Sequence, residues 1–151
     1  MTTFLTISLF LHIIFGVLAV IGMYSLWMML LKRESNMVNL KRFSVSSLIF
    51  ILVSWFFGAY YYLTYYGGAV KPVIKEGAYP WAHLVVMEAK EHIFLFLPFL
   101  LVVAVISFFA LNDNLNQNEK TKRAITGLVA IMTILGIAIT LSGIVISGAV
   151  R

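Results

Sequence analysis

The side chains best suited to chemistry lie between Trp81 and Pro98, in WAHLVVMEAKEHIFLFLP. This stretch begins a long apolar helix and gathers five ionisable side chains, namely His83, Glu88, Lys90, Glu91 and His92. Ionisable groups beside an apolar helix are energetically costly, so such a cluster is a candidate functional site. Glu88 and His92 are four residues apart and share a helix face, while His83 and Glu91 mark a neighbouring face. The alternative is an interfacial charge cluster that sets the depth of the helix.

Composition places these residues in a membrane protein. Of 151 residues, 62% are hydrophobic and 11% charged, with a mean hydropathy of +0.98, whereas soluble domains carry about 25% charge. The chain has no cysteine, which excludes disulfides and thiol chemistry. The basic residues lie in short loops, which indicates lipid headgroup contacts and topology determinants rather than a nucleic-acid surface. No hydrolase, kinase or nucleotide-binding motif is present.

The apolar segments predict the elements that must hold the cluster. A bilayer is spanned by about 20 apolar residues, and four long apolar segments predict helices over residues 4–31, 43–66, 81–111 and 124–150. The first has no basic n-region and is interpreted as a retained helix. Short polar loops join the four, which predicts an all-α, single-domain integral membrane bundle with up-down-up-down topology.

Lysine and arginine counts predict the orientation of this bundle. The first and third loops are the more basic, with Lys32, Arg33, Lys41 and Arg42 in one and Lys120, Lys122 and Arg123 in the other, while the second loop has only Lys71 and Lys75. The first and third loops are therefore expected in the cytoplasm of a cell-membrane protein, with both termini on the outer side.

Counting from the loops places His12 and His92 at a similar depth, near the outer edge of the hydrocarbon. A stripe of small residues, Gly16, Ala19 and Gly22, follows His12. It indicates either a helix-packing seam or room for a flat ring beside the histidine. In the second helix, Tyr61 and Tyr65 extend a semi-polar face. The tyrosine-rich end is typical of an interfacial aromatic belt, and the alternative is a cofactor pocket or an electron path.

The first hypothesis is a haem b ligated by His12 and His92, with a role in membrane electron transfer. Two imidazoles facing across a bundle can hold haem iron, and small residues make room for the porphyrin. The chain resembles four-helix membrane cytochromes of the b561 and copper-resistance-D kind, and the residues that carry this resemblance are His12, Gly16, His83 and His92. Three histidines supply one bis-histidine pair, so the resemblance implies a single haem. A second resemblance is to small four-helix proteins that assist haem–copper oxidase assembly.

The second hypothesis is a zinc, iron or copper ion without porphyrin. Carboxylate and imidazole ligands would come from Glu88, Glu91 and His92, with His12 or His83. The run Glu88-x-x-Glu91-His92 is loosely similar to the Glu-x-x-His of di-iron bundles. Its glutamate and histidine are four apart or adjacent rather than three apart.

The third hypothesis needs no cofactor. The chain would be a membrane subunit, an assembly factor or a small transporter, with a polar cluster that binds a partner, a proton or a lipid headgroup. Besides the lipid bilayer, the partners left open are a quinone, a larger membrane complex and further copies of the chain.

Overall fold

The structure, a computed structural model, describes residues 2–150. It consists of α1 (Thr3–Leu30), α2 (Met37–Tyr61), a first π-helical segment (Tyr62–Val70), α3 (Lys71–Glu76), a second π-helical segment (Ala82–Met87), α4 (Glu88–Leu111), α5 (Asn114–Gln117) and α6 (Glu119–Gly148). No strand occurs among these residues, so the predicted all-α class is confirmed. Four continuous helical stretches are long and apolar enough to cross a membrane: Thr3–Leu30, Met37–Glu76, Ala82–Leu111 and Glu119–Gly148.

Two of the long helices begin earlier in the chain than hydropathy indicates. The second begins at Met37 rather than at residue 43, and the fourth at Glu119 rather than at 124. Each follows an asparagine N-cap: the side chain of Asn36 accepts a hydrogen bond from the Asn39 N–H, and that of Asn118 from the Thr121 N–H. Capping asparagines stabilise helix starts in polar sequence, whereas hydropathy marks only the apolar part of each helix.

The largest difference from the sequence interpretation lies at residues 67–80, expected to be a loop. The helical path continues through the first π-helical segment and α3 to Glu76, and only residues 77–80 connect it to the next helix. Pro72 lies in the first turn of α3, where a missing N–H and a fixed φ are tolerated. The glycine and proline residues here therefore modify a helix instead of ending it.

The four long helices pack as a closed ring. Contacts join α1 to α2, α2 to α4, α4 to α6 and α6 to α1, which leaves α1 and α4 diagonal to each other. The centre is filled by fully buried side chains, including Met23, Leu26, Leu101, Phe108 and Met132. This apolar core occupies the half of the bundle nearer to the Leu31–Asn36 connection.

Small residues let α1 and α2 approach closely at three levels. A Cβ at Gly22 would overlap Ser47 Oγ, and one at Gly16 would lie 3.2 Å from Ser54 Oγ. At the third level the glycine is on α2: a Cβ at Gly58 would lie only 2.5 Å from His12 Nδ1. The packing-seam interpretation of the small stripe therefore applies to Gly16 and Gly22, while the glycine that makes room for the His12 ring is Gly58.

Polar contacts tie the two connections at the basic end of the bundle together. Asn116 accepts a hydrogen bond from the Ser35 N–H and donates one to the Ser35 carbonyl, both 3.0 Å long. The Lys122 ammonium donates to the carbonyl oxygens of Lys32 at 2.8 Å and Arg33 at 2.9 Å. Lys122 thus satisfies carbonyls that α1 leaves free beyond its C-terminus, in addition to carrying a loop charge.

Candidate functional site

His12 belongs to the interface between α1 and α2. Its Nδ1–H donates to the Ser54 carbonyl oxygen at 2.9 Å, and the Ser54 hydroxyl donates to the His12 carbonyl oxygen at 2.8 Å. The imidazole also meets the Phe94 ring edge-on, with 5.6 Å between ring centroids. Nδ1 is therefore occupied by a helix-to-helix hydrogen bond.

His92 does not face His12. Its side chain is exposed, and its Nδ1–H donates to the Glu88 carbonyl oxygen of the same helix at 2.7 Å. Phe94 is the α4 residue that contacts His12, and two residues along an α-helix correspond to a rotation of about 200°. The expectation that His92 points inward is therefore wrong, because the α4 face that meets His12 is the one carrying Lys90, Phe94 and Leu97.

This arrangement does not fit a bis-histidine haem. Among residues 2–150, no second imidazole lies across the helix interface from His12, since His92 is exposed on α4 and His83 is bonded to a tyrosine elsewhere. Gly16 does line a cavity beside His12, but its missing Cβ faces Ser54. The haem, metal and electron-transfer hypotheses therefore gain no support from the geometry.

His83 is the centre of a buried polar site. Only 1% of its side chain is exposed. Its Nδ1 is hydrogen-bonded to the Tyr66 hydroxyl at 3.0 Å, and its Nε2 lies 3.8 Å from Oε1 of Glu88, whose side chain is 48% exposed. These residues, called the Tyr66–His83–Glu88 site below, form a connected series from a buried phenol through a buried imidazole to an accessible carboxylate.

The two π-helical segments build this site. Tyr66 comes from the first and His83 from the second, and Glu88 follows directly where α4 begins. Tyr62 stacks on Tyr66 with ring centroids 5.2 Å apart, and Ile74, Ala82 and Met87 close the surrounding apolar cluster. π-Helical turns are rare and occur frequently at functional sites, and here two of them meet at one buried histidine.

The π-helical geometry also explains which tyrosines the sequence interpretation missed. Tyr61 and Tyr65, chosen for their α-helical spacing, do lie side by side, with ring centroids 5.6 Å apart. The tyrosine that contacts His83 is instead Tyr66, on which Tyr62 stacks. Bonds of the i→i+5 type change the number of residues per turn, so an α-helical face drifts along this segment. The density of tyrosines in the sequence marks this segment, but it does not show which of the tyrosines face His83.

The carboxylates do not gather into a metal site. No group of three or more His, Asp or Glu side chains within residues 2–150 is arranged to hold a metal ion. Glu88 is also not paired with Lys71 or Lys75, because its ion-pair neighbour is His83. Oε1 of Glu91 is buried and lacks a hydrogen-bond partner among the described residues. The two carboxylates therefore lie in different environments, Glu88 accessible beside His83 and Glu91 with a buried oxygen.

A separate cavity of about 630 Å³ lies between the four helices beside His12. Its polar lining includes His12, Ser54 and Lys90, and the glycines Gly16, Gly136 and Gly143 widen it. The Lys90 ammonium lies 3.7 Å from the point that a Cβ would occupy at Gly143, so this side chain reaches across from α4 to α6. Ser54 belongs to the semi-polar face predicted for the second helix, whereas no cavity was predicted beside Lys90.

The arrangement offers two kinds of chemistry, proton exchange at the Tyr66–His83–Glu88 site and binding in the cavity. Comparison with known proteins gives no matching family model, no matching curated protein and no matching solved structure.

Proposed function

We propose that the chain is a multi-pass membrane protein, an up-down-up-down bundle with both termini on the outer side. The four apolar stretches have the required length. Hydrogen bonds between Ser35 and Asn116 join the first and third connections at one end of the bundle, as alternating helix directions require. Those two connections carry the larger share of basic residues, which favours the cytoplasm.

Cysteine labelling tests this orientation, and the absence of native cysteine makes the background low. Glu34 and Glu76 are both exposed and lie in different connections; Ser35 is unsuitable because it is buried. We expect an impermeant maleimide to label Glu76→Cys in intact cells and Glu34→Cys only after the membrane is opened. Labelling of Glu34→Cys from outside would overturn the orientation.

We propose further that the protein is a membrane subunit or small transporter that binds and releases a proton at the Tyr66–His83–Glu88 site. The observation that carries this proposal is the position of a fully buried imidazole between a phenol and an accessible carboxylate. Histidine is the side chain whose charge changes most readily near neutral pH, and Glu88 provides the exchange route to water.

Tyr66 suits both protonation states of His83. A hydroxyl can donate to an unprotonated Nδ1 and can accept from a protonated one, so the 3.0 Å contact persists when a proton arrives. Glu88 then supplies the negative charge that compensates a buried imidazolium. Burial of the ring and the positive charges of Lys71 and Lys75 oppose the charged form, whereas the negative charge of Glu91 favours it together with Glu88. The apolar core beyond the site supports proton binding from one side of the bundle.

Side-chain NMR of histidine tests the proton site, since the chain has only three histidines. His12→Gln and His92→Gln variants assign the His83 signals. We expect the His83 signals to change with pH as the imidazole binds and releases a proton. In Glu88→Gln, a smaller fraction should be protonated at a given pH, because the compensating charge is lost.

Glu76→Gln is the matched control, because Glu76 is exposed and lies outside the site. It should leave the His83 titration unchanged. A His83 signal that does not respond to pH, or one that responds identically with and without the Glu88 charge, contradicts the proposal.

A further inference from the structure

The Lys90 side chain carries the only positive charge that faces the cavity among the described lining residues, apart from any charge on His12. No ion pair and no hydrogen bond to its ammonium occurs within residues 2–150. Glu91, the next residue, adds negative charge nearby without forming an ion pair. An ammonium group in an apolar environment is strongly stabilised by an anionic oxygen. The Lys90 ammonium in the cavity therefore forms no ion pair with any described side chain.

Most of the remaining cavity lining is apolar, with the hydroxyl-bearing Thr140 and Ser147 among it. From Lys90 the lining continues along α1 and α6 past Val20, Met23 and Ile139. A volume of about 630 Å³ falls in the range of roughly 300–1,000 Å³ that is typical of small-molecule pockets. One end thus suits an anionic headgroup and the other suits a hydrocarbon chain.

The cavity also has an entrance suited to a lipid-soluble ligand. Ile13 and Val17 on α1 and Ile144 on α6 line it, and their side chains are exposed on the outside of the bundle. In a bilayer these residues face acyl chains, so a ligand can reach the cavity sideways between α1 and α6. Gly143 leaves the space in which the Lys90 ammonium lies beside that entrance.

We propose that this cavity binds a single-chain anionic amphiphile, with its carboxylate or phosphate at the Lys90 ammonium and its alkyl chain along Val20, Met23 and Ile139. His12 and Ser54 are polar residues of the same cavity lining, on α1 and α2. A neutral quinone would leave the ammonium without a counter-charge and is therefore the weaker candidate. This ligand site goes beyond the proton site and depends on different residues.

Displacement of a fluorescent dansyl fatty acid from the full chain in neutral detergent tests the proposal. Oleate and a lysophosphatidate represent carboxylate and phosphate headgroups, while oleyl alcohol and a short-chain ubiquinone are the neutral competitors. We expect one or both anions to displace the probe at concentrations at least about 10-fold lower than the neutral compounds, since charge-assisted bonds are worth about a factor of ten or more. The stronger of the two anions identifies the headgroup.

Variants locate the binding. Lys90→Met should weaken binding of the anionic probe by about 10-fold or more, and Lys90→Arg should retain it. Gly143→Leu should block it by filling the space beside the ammonium. Lys71→Met is the control, because it removes one positive charge outside the cavity lining, and it should bind as the unmodified chain does.

The variants and competitors together support or overturn the ligand site. Circular dichroism melts of all variants identify any that fail to fold. If Lys90→Met fails to fold, Lys90→Arg is the test, since retained probe binding supports the proposal and lost binding overturns it. Equal competition by oleyl alcohol or ubiquinone and oleate, or equal binding by Lys90→Met and Lys71→Met, overturns the proposal. His83→Phe should not change probe binding, so failure of the ligand site is distinguishable from failure of the proton site.

Discussion

Replacing Gly22 by leucine is expected to cause the largest loss of stability of any single glycine replacement in α1. Even a Cβ at this position overlaps the Ser47 hydroxyl and lies 3.3 Å from Ser47 Cβ. The hydroxyl can rotate away, but the α2 backbone behind it cannot yield without separating the helices. Overpacking a tight interface costs about 1–3 kcal/mol and sometimes more. We expect Gly22→Leu to lower the Tm in detergent sharply and Gly22→Ala to lower it less.

A size exchange separates overpacking from a change in helix propensity. Gly22→Ala combined with Ser47→Gly moves the small residue to the other helix, so the double variant should recover part of the Tm that Gly22→Ala loses. Gly127→Ala is the control: a Cβ there meets nothing within 4 Å, and alanine is favoured over glycine in a helix by about 1 kcal/mol. Its Tm should be unchanged or raised. A Gly22→Leu protein as stable as this control would show that α1 and α2 are not in close contact there.

The number and type of the long elements could be predicted from the sequence, because hydropathy reports length directly. Four apolar stretches longer than a bilayer requires leave little freedom in class or count. Their ends could not be predicted from hydropathy, since Asn36 and Asn118 begin helices in polar sequence by accepting backbone hydrogen bonds. Likewise, Gly67 and Gly68 fall between the helices predicted over 43–66 and 81–111 but lie within a helical stretch.

The site was predicted only as a region. The stretch after Trp81 holds the buried His83 and its carboxylate neighbour Glu88, both of them within the cluster of ionisable residues in the sequence. Which histidine is central could not be read from spacing, because His92 is exposed by its rotation on α4 while His83 lies in a π-helical turn. The partners of the two inward-lying histidines come from other helical segments, Ser54 for His12 and Tyr66 for His83. Such pairings depend on helix rotation, which a single sequence does not specify.

Tyr66→Phe is expected to destabilise the fold by removing one hydroxyl from the Tyr66–His83–Glu88 site. The ring remains and its stacking on Tyr62 is preserved, so the loss falls on the hydrogen bond to His83 Nδ1. A buried polar atom left without a partner costs about 1–3 kcal/mol. We therefore expect a lower Tm and a larger fall of Tm as the pH decreases, because the Nδ1–H of a protonated His83 then has no acceptor.

Tyr65→Phe is the matched control, because it removes a tyrosine hydroxyl one residue earlier in the chain. Among the described residues, the Tyr65 hydroxyl has no hydrogen bond, and its ring pairs with Tyr61 rather than with His83. The free energy of unfolding of Tyr65→Phe should stay within about 0.5 kcal/mol of that of the unmodified chain. The double variant Tyr66→Phe/His83→Phe tests the cause, because it removes both polar partners and should be more stable than the sum of the single losses predicts. If Tyr66→Phe and Tyr65→Phe instead melt alike at every pH, the 3.0 Å contact contributes nothing. His83 would then be held by its apolar surroundings alone, and the proton site would lose its buried end.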